Sequence, residues 1–197
     1  MGYEQPIADA DAEGPTRHKL TVEEFLILDE AGVFGSDHVE LIDGEILILS
    51  PVYVPHAEVL AALTSEVFRE ARAAGGLRCY TPVSTRIDDF NLPQPDLVVA
   101  AHVRGSRYVS PEAVRLIVEV STSTLRHDLN RKAALYAGAR IPEYWVFDVA
   151  GRSFIRMHGP TGQGYATRDG GSFGEMLSSA TIEGFVVNTA LLNELLD

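Results

Sequence analysis

The run VRLIVEVS, from Val114 to Ser121, constrains the fold more than any other stretch. Its β-branched residues and few polar interruptions suit a strand covered on both faces, since a strand with one face in water would alternate. The chain continues through TSTLRHDLNRKAALYAGARIPEYWVFDV. Residues 125–139 read as a helix, with Leu129, Ala133 and Tyr136 at core-compatible spacing and Pro142 stopping it. EYWVFDV then reads as one more strand. That helix supplies enough chain for a right-handed parallel return between the two strands, which predicts an α/β core with a mixed sheet. Glu119 is the one acidic residue inside the apolar run, and a carboxylate there carries a large desolvation cost unless it has a task or faces solvent.

The remaining elements fit around this unit. TVEEFLILDEAG begins with Thr21 as an N-cap, has Glu24 at the capping-box position and ends at Gly32, so a short helix is predicted. In VELIDGEILILS, Asp43-Gly44 supplies a tight turn between two short strands. A longer helix is predicted from about Pro55 to Ala74, with Val59, Leu60, Leu63, Val67 and Phe68 near one side and Gly75-Gly76 ending it. Leu77–Ile87 and Pro95–Ala100 read as strands, with DDFNLPQ as the turn between them. FIRMHGP and GYATRD form a terminal hairpin, and DGGSFG, Asp169 to Gly174, a flexible turn. Residues 1–18 read as a flexible acidic arm, and residues 19–197 as a single domain.

Composition excludes several classes. The formal net charge of -12 weakly opposes nonspecific binding to a polyanion, although a local basic surface or a divalent metal can outweigh the global field. With Cys79 as the single cysteine, neither an intrachain disulfide nor a thiolate metal cluster can form. No segment has the apolar length of a membrane span, and MGYEQPIADADAEGP lacks the basic start and hydrophobic run of a signal peptide, so a cytoplasmic setting is expected. HExxH, P-loop and G-x-S-x-G patterns are all absent.

The carboxylates carry the chemistry. Asp96 begins a strand directly after Pro95, where a polar group meets solvent or metal, and Glu119 lies near the end of the next strand. With suitable register both point into one cleft, and two hard oxygen ligands held that way suit Mg²⁺ or Mn²⁺. Lys132 lies four residues after Asp128. The two either form a surface pair on one helix face, or the ammonium reaches over the strand ends toward Glu119 and stabilises charge on a phosphoryl oxygen.

Taken in order, Pro95-Asp96-Leu97-Val98-Val99, Val118-Glu119-Val120-Ser121, Asp128, Arg131-Lys132, Tyr136 and PEYWVFD resemble the large bacterial Uma-type family of restriction endonucleases related to the PD-(D/E)XK nucleases. Glu40-Leu41-Ile42-Asp43-Gly44-Glu45 and the helix entered at His56 match the same pattern. The resemblance implies a restriction-endonuclease-like fold, a mixed β-sheet flanked by helices, with a divalent metal site. Asp96 and Glu119 would be metal ligands, Glu40 an additional metal or water ligand, and Lys132 catalytic support. The chain departs from the simplest E-x-K signature at Ser121, and the helix supplies Lys132 in place of a lysine there.

Two functions follow. One is Mg²⁺- or Mn²⁺-dependent hydrolysis of DNA phosphodiester bonds by a homodimer, and the other is a noncatalytic nuclease-like domain for binding or interaction. His56 either supports a carboxylate or substrate, or simply starts its helix. Tyr136 packs the crossover helix, its hydroxyl within possible reach of the cleft. Tyr144 and Trp145 are expected in core or interface positions. The arginines at 69, 72, 78, 86, 104 and 107 are scattered candidates for phosphate contact.

Overall fold

The computed structural model describes residues 16–197; most of the acidic arm lies outside the described residues. Helix α1 (Val22–Glu30) precedes a hairpin of β1 (Val39–Ile42) and β2 (Glu45–Ile48), followed by α2 (Val54–Ala73). Strands β3 (Leu77–Tyr80), β4 (Leu97–Ala101) and β5 (Val114–Ser121) come next. The crossover helix has three parts: α3 (Leu125–His127), a π-helical turn (Asp128–Lys132) and α4 (Ala133–Gly138). It leads to β6 (Glu143–Asp148), β7 (Ser153–Thr161) and β8 (Gly164–Ser172), and the chain ends with β9 (Met176–Ser178), β10 (Val186–Asn188) and α5 (Ala190–Leu195). Among the described residues no helix is long and apolar enough to cross a membrane.

Six strands form the central sheet in the order β3-β4-β5-β6-β7-β8. Within this sheet only β5 and β6 pair in parallel, and the helical crossover between them supplies the length of chain that a parallel return needs; the other neighbours are antiparallel. Strand β5 is buried on both faces, as its composition requires. Leu116, Val118 and Val120 pack with Leu97, Val99, Trp145 and Phe147 against Val59, Leu63, Val67 and Ala71 of α2. Those four recur every fourth residue, the stripe an amphipathic helix lays on a sheet. On the other face Ile117 joins Val98, Tyr144 and Val146 beneath Ala133 and Tyr136 of the crossover helix. Fully burying each such side chain contributes about 1.5–3 kcal/mol.

Local chemistry sets the boundaries. Thr21 caps α1 as expected, with Glu24 N donating to Thr21 Oγ1 at 3.2 Å and Thr21 N to the Glu24 carboxylate at 2.8 Å. Asp43 and Gly44 both have positive φ, 54° and 72°, the turn that matches the twist of a hairpin. A Cβ at Gly44 would also lie 2.6 Å from Lys19 Cβ.

The structure corrects three expectations. The predicted Leu77–Ile87 strand ends at Tyr80, because Pro82 on this strand and Pro95 before the facing one lack amide donors to extend the ladder; Thr85 makes only an isolated bridge to Val109. Most of DGGSFG is strand, since β8 runs to Ser172. Its glycines permit close approach: a Cβ at Gly170 would strike Phe154 O, and one at Gly171 would lie 2.7 Å from Phe154 Cζ. The β9–β10 hairpin and α5, absent from the predicted elements, add Leu177, Val187 and Leu192 to the core beside α2.

Candidate active site

Register brings the first two carboxylates level. Leu97 of β4 lies opposite Val118 of β5, so Asp96, one residue back, stands beside Glu119, and Val120 N donates to Asp96 Oδ2 at 2.7 Å. Alternation along β5 turns Glu119 to the face covered by the crossover helix. Glu40 arrives from β1, held by Gln94 N at 2.8 Å from Oε1. Arg131 clamps that hairpin to the crossover helix, donating to Asp43 at 3.1 Å, Glu45 at 2.8 Å and Ile42 O at 2.9 Å.

Lys132 closes the constellation. It ends the π-helical turn, a widened turn frequent at functional sites, and points inward. Its Nζ lies 2.9 Å from Glu119 Oε1 and 3.0 Å from Glu40 Oε1, and Tyr136 donates its hydroxyl to Glu119 Oε1 at 3.1 Å. Of the two directions open to Lys132, the surface pair with Asp128 is the one not taken. Asp128 is itself buried and accepts from Thr124 Oγ1 at 2.7 Å. Ser121 shares the β5 face of Glu119, fully buried, with its hydroxyl 3.3 Å from Thr124 Oγ1.

Glu40, His56, Asp96, Glu119, Asp128 and Lys132 line one recess of about 120 Å³. Four carboxylates therefore face one ammonium, with His56 Nε2 3.5 Å from Asp96 Oδ2. Burial alone would lower the Lys132 ammonium, but Glu119 and Glu40 outweigh it and hold its pKa above the ordinary lysine value. Burial pushes Glu119 upward, opposed by Lys132 and reinforced by Asp96, Asp128 and Glu40. Within the pair Lys132 keeps its proton, and Glu119 is the member that gains one as pH falls. The Asp96 contact raises His56 against the effect of burial, whereas burial and Lys132 lower His127. Burial also raises Asp128.

The donor set suits a hard cation. Glu40 Oε2 is buried without a hydrogen-bond partner, and a carboxylate oxygen in that state calls for a cation or water. Among the described residues no three His, Cys, Asp or Glu side chains close on a common point as they stand, because Lys132 occupies the position between Glu40 and Glu119. Two carboxylates completed by water and phosphate oxygens are a usual magnesium arrangement, and Asp96 and Glu119 are level across β4 and β5 and line the same recess.

Tyr144 and Trp145 are fully buried, as expected: Tyr144 donates to Asp128 O at 3.2 Å and Trp145 Nε1 to Glu143 Oε1 at 2.7 Å. Tyr136 both packs the helix and reaches the site. The scattered arginines do not gather: Arg69 pairs with Glu66 and Glu70, Arg86 with Glu23 and Asp89, and Arg107 with Glu30. Sequence reasoning missed Gln94, Thr124 and His127. Gln94 acts through its backbone and leaves no sequence signal, while Thr124, four residues before Asp128, was legible as a side-chain partner.

A mixed sheet with one parallel pair, carboxylates level across β4 and β5, and a lysine delivered by the crossover helix define a nuclease-like protein. Residues 22–190 match the model of the Uma2 family, described as "Putative restriction endonuclease", and the chain belongs to that family. A crystal structure described as a "putative nuclease belonging to DUF820", from Anabaena variabilis ATCC 29413, has the same fold, with a TM-score of 0.69 at 13% identity over 90% of this chain and 99% of that one. No curated protein matches the chain.

Proposed function

We propose that the protein is a metal-dependent endonuclease that hydrolyses DNA phosphodiester bonds, with Glu40, Asp96, Glu119 and Lys132 as its working residues. The observation that carries this reading is the buried Glu40–Lys132–Glu119 bridge beside Asp96 in one recess. Asp96 and Glu119, with the unpartnered oxygen of Glu40 nearby, would hold Mg²⁺ or Mn²⁺, which when bound supplies an activated water and charge neutralisation at phosphate. Lys132, fixed by two carboxylates, presents a permanently charged ammonium to a phosphoryl oxygen as negative charge develops. His56 and Val120 N orient Asp96, and Tyr136 orients Glu119. The protein's cytoplasmic setting, its single domain over residues 19–197 and a homodimer cutting both strands belong to the same reading.

A noncatalytic nuclease-like binding domain is the second reading, favoured by Lys132, whose ion pairs already neutralise part of the carboxylate charge. Incubation of DNA with Mg²⁺ or Mn²⁺ separates the two. Cleavage that vanishes in Asp96→Ala and Glu119→Ala proteins supports the enzyme. Folded wild-type protein that neither binds Mg²⁺ or Mn²⁺ by calorimetry nor cuts DNA leaves the binding domain.

A further inference from the structure

The active recess is much smaller than the roughly 300–1,000 Å³ of a pocket that encloses a whole small ligand, so it takes a phosphoryl group and leaves the rest of a nucleic acid outside. Two neighbouring recesses continue it. Ser123, Thr124 and His127 line both the active recess and a second one of about 680 Å³, which Arg126, Asn130 and Arg131 complete. Asn130 also lines a third, of about 300 Å³, between the crossover helix and the β7–β8 hairpin, with Gln163 and Arg168 on its rim. The three form one groove running from the carboxylates across the crossover helix.

The charge of the groove's lining changes sign away from the carboxylates. In a protein of formal charge -12, neither the second nor the third recess is lined by any aspartate or glutamate. Arg131 in the second recess and Arg69, Arg86, Arg107, Arg152 and Arg156 elsewhere each have a carboxylate oxygen within 3.1 Å, whereas Arg72, Arg78, Arg104, Arg115 and Arg140, scattered outside the groove, form no ion pair among the described residues. Arg126 and Arg168 are exposed and form no ion pair among the described residues. Asn130 braces the turn beneath Arg126 by donating to its carbonyl at 2.7 Å. The hydroxyl of Ser123 and the amide of Gln163 add neutral donors, the mixture that phosphate contacts use.

We propose that this groove is the track for the sugar-phosphate backbone of DNA leading into the active recess, with Arg126 and Arg168 each holding a phosphate. The assignment rests on the nuclease reading above. These contacts position the strand and read no bases, so their loss weakens binding equally across sequences.

The test is fluorescence anisotropy of a short labelled DNA duplex, with Ca²⁺ in place of Mg²⁺, titrated at several salt concentrations. Wild type, Arg126→Ala, Arg168→Ala, the double variant and Arg72→Ala are compared; Arg72 is exposed on α2 and lies outside the groove. Each groove variant should flatten the plot of log affinity against log salt by about 0.9, and the double variant by about 1.8. Between 50 and 200 mM salt, this makes the fall in affinity smaller by roughly 3.5-fold per arginine and roughly 12-fold for the pair. Arg72→Ala should match wild type. An unchanged slope in the double variant, beside a wild type that binds and cuts DNA, overturns the track and leaves the nuclease reading standing. An equal loss in Arg72→Ala also overturns the track. Wild-type protein that neither binds nor cuts DNA removes both.

Discussion

Replacing Lys132 by Met keeps the length and apolar stem of the side chain and removes only its charge, so the loss it causes is electrostatic and leaves little cavity. Lys132 is 4% exposed and stands between Glu40, 0% exposed, and Glu119, 5% exposed. Removing one member of such a buried network leaves uncompensated carboxylates, at a cost of about 3–5 kcal/mol. Urea denaturation at pH 8, followed by circular dichroism, should show that loss as a lower midpoint with an unchanged slope. The pH dependence carries a sign. The Lys132 pKa is raised, so its contribution in wild type is fully present below about pH 10.4, the unfolded lysine value, and is lost only as pH rises through the folded value. Burial raises Glu119, and in the variant no ammonium opposes that rise. The variant's stability is therefore greatest at low pH and falls as pH rises through the folded Glu119 value, so its deficit shrinks from pH 8 toward pH 5. Mg²⁺ should restore part of the deficit, because a cation bound by the native carboxylates stabilises the native state by mass action. A deficit below about 1 kcal/mol at pH 8, or one unchanged at pH 5, would show that the ammonium does not offset the buried carboxylates and would refute the reasoning.

Three further outcomes are expected. Glu119→Gln and Asp96→Asn, near-isosteric but uncharged, should each lower cleavage by about 10²-fold or more while the protein stays folded; full activity in either would remove that residue from the chemistry. His56→Ala should weaken Mg²⁺ affinity by roughly 10–100-fold with little change in the melting temperature, as loss of a group orienting a ligand does, and calorimetry that finds wild-type affinity would end its positioning role. Glu143 is fully buried on the opposite side of the sheet, where it accepts from Trp145 Nε1, Ser179 Oγ, Thr181 Oγ1 and the backbone N–H of Ala180 and Thr181. Glu143→Ala orphans those donors and should cost about 3–5 kcal/mol of stability without altering Mg²⁺ binding; an altered metal affinity would contradict its separation from the site.

Much of the scaffold was legible because its signals are local. VRLIVEVS spans β5 at its predicted bounds, the capping box starts α1 at Thr21, and Asp43-Gly44 turns the first hairpin. Glu119 attracted notice through its apolar neighbours alone. The C-terminal elements escaped because β9 and β10 are only three residues each, too short to show a period, and they are held by contacts with α2 and Glu143. Gly170 and Gly171 read as a turn because the residue they must approach, Phe154, belongs to another strand.

Sequence by itself determined the first two helices and the crossover helix, the central strands, the parallel crossover and the short set of carboxylates able to serve a hard cation, because caps, turns and hydrophobic periods act between near neighbours. Only the tertiary structure decided that Lys132 turns inward to Glu119 and to Glu40, 92 residues away, and that Glu40 keeps one buried oxygen without a partner. It also left Arg126 and Arg168 without carboxylates beside the recess while pairing other arginines elsewhere. The physical reason is the same in each case: the direction of a long charged side chain is set by the charges that folding brings beside it, and those lie tens of residues distant along the chain.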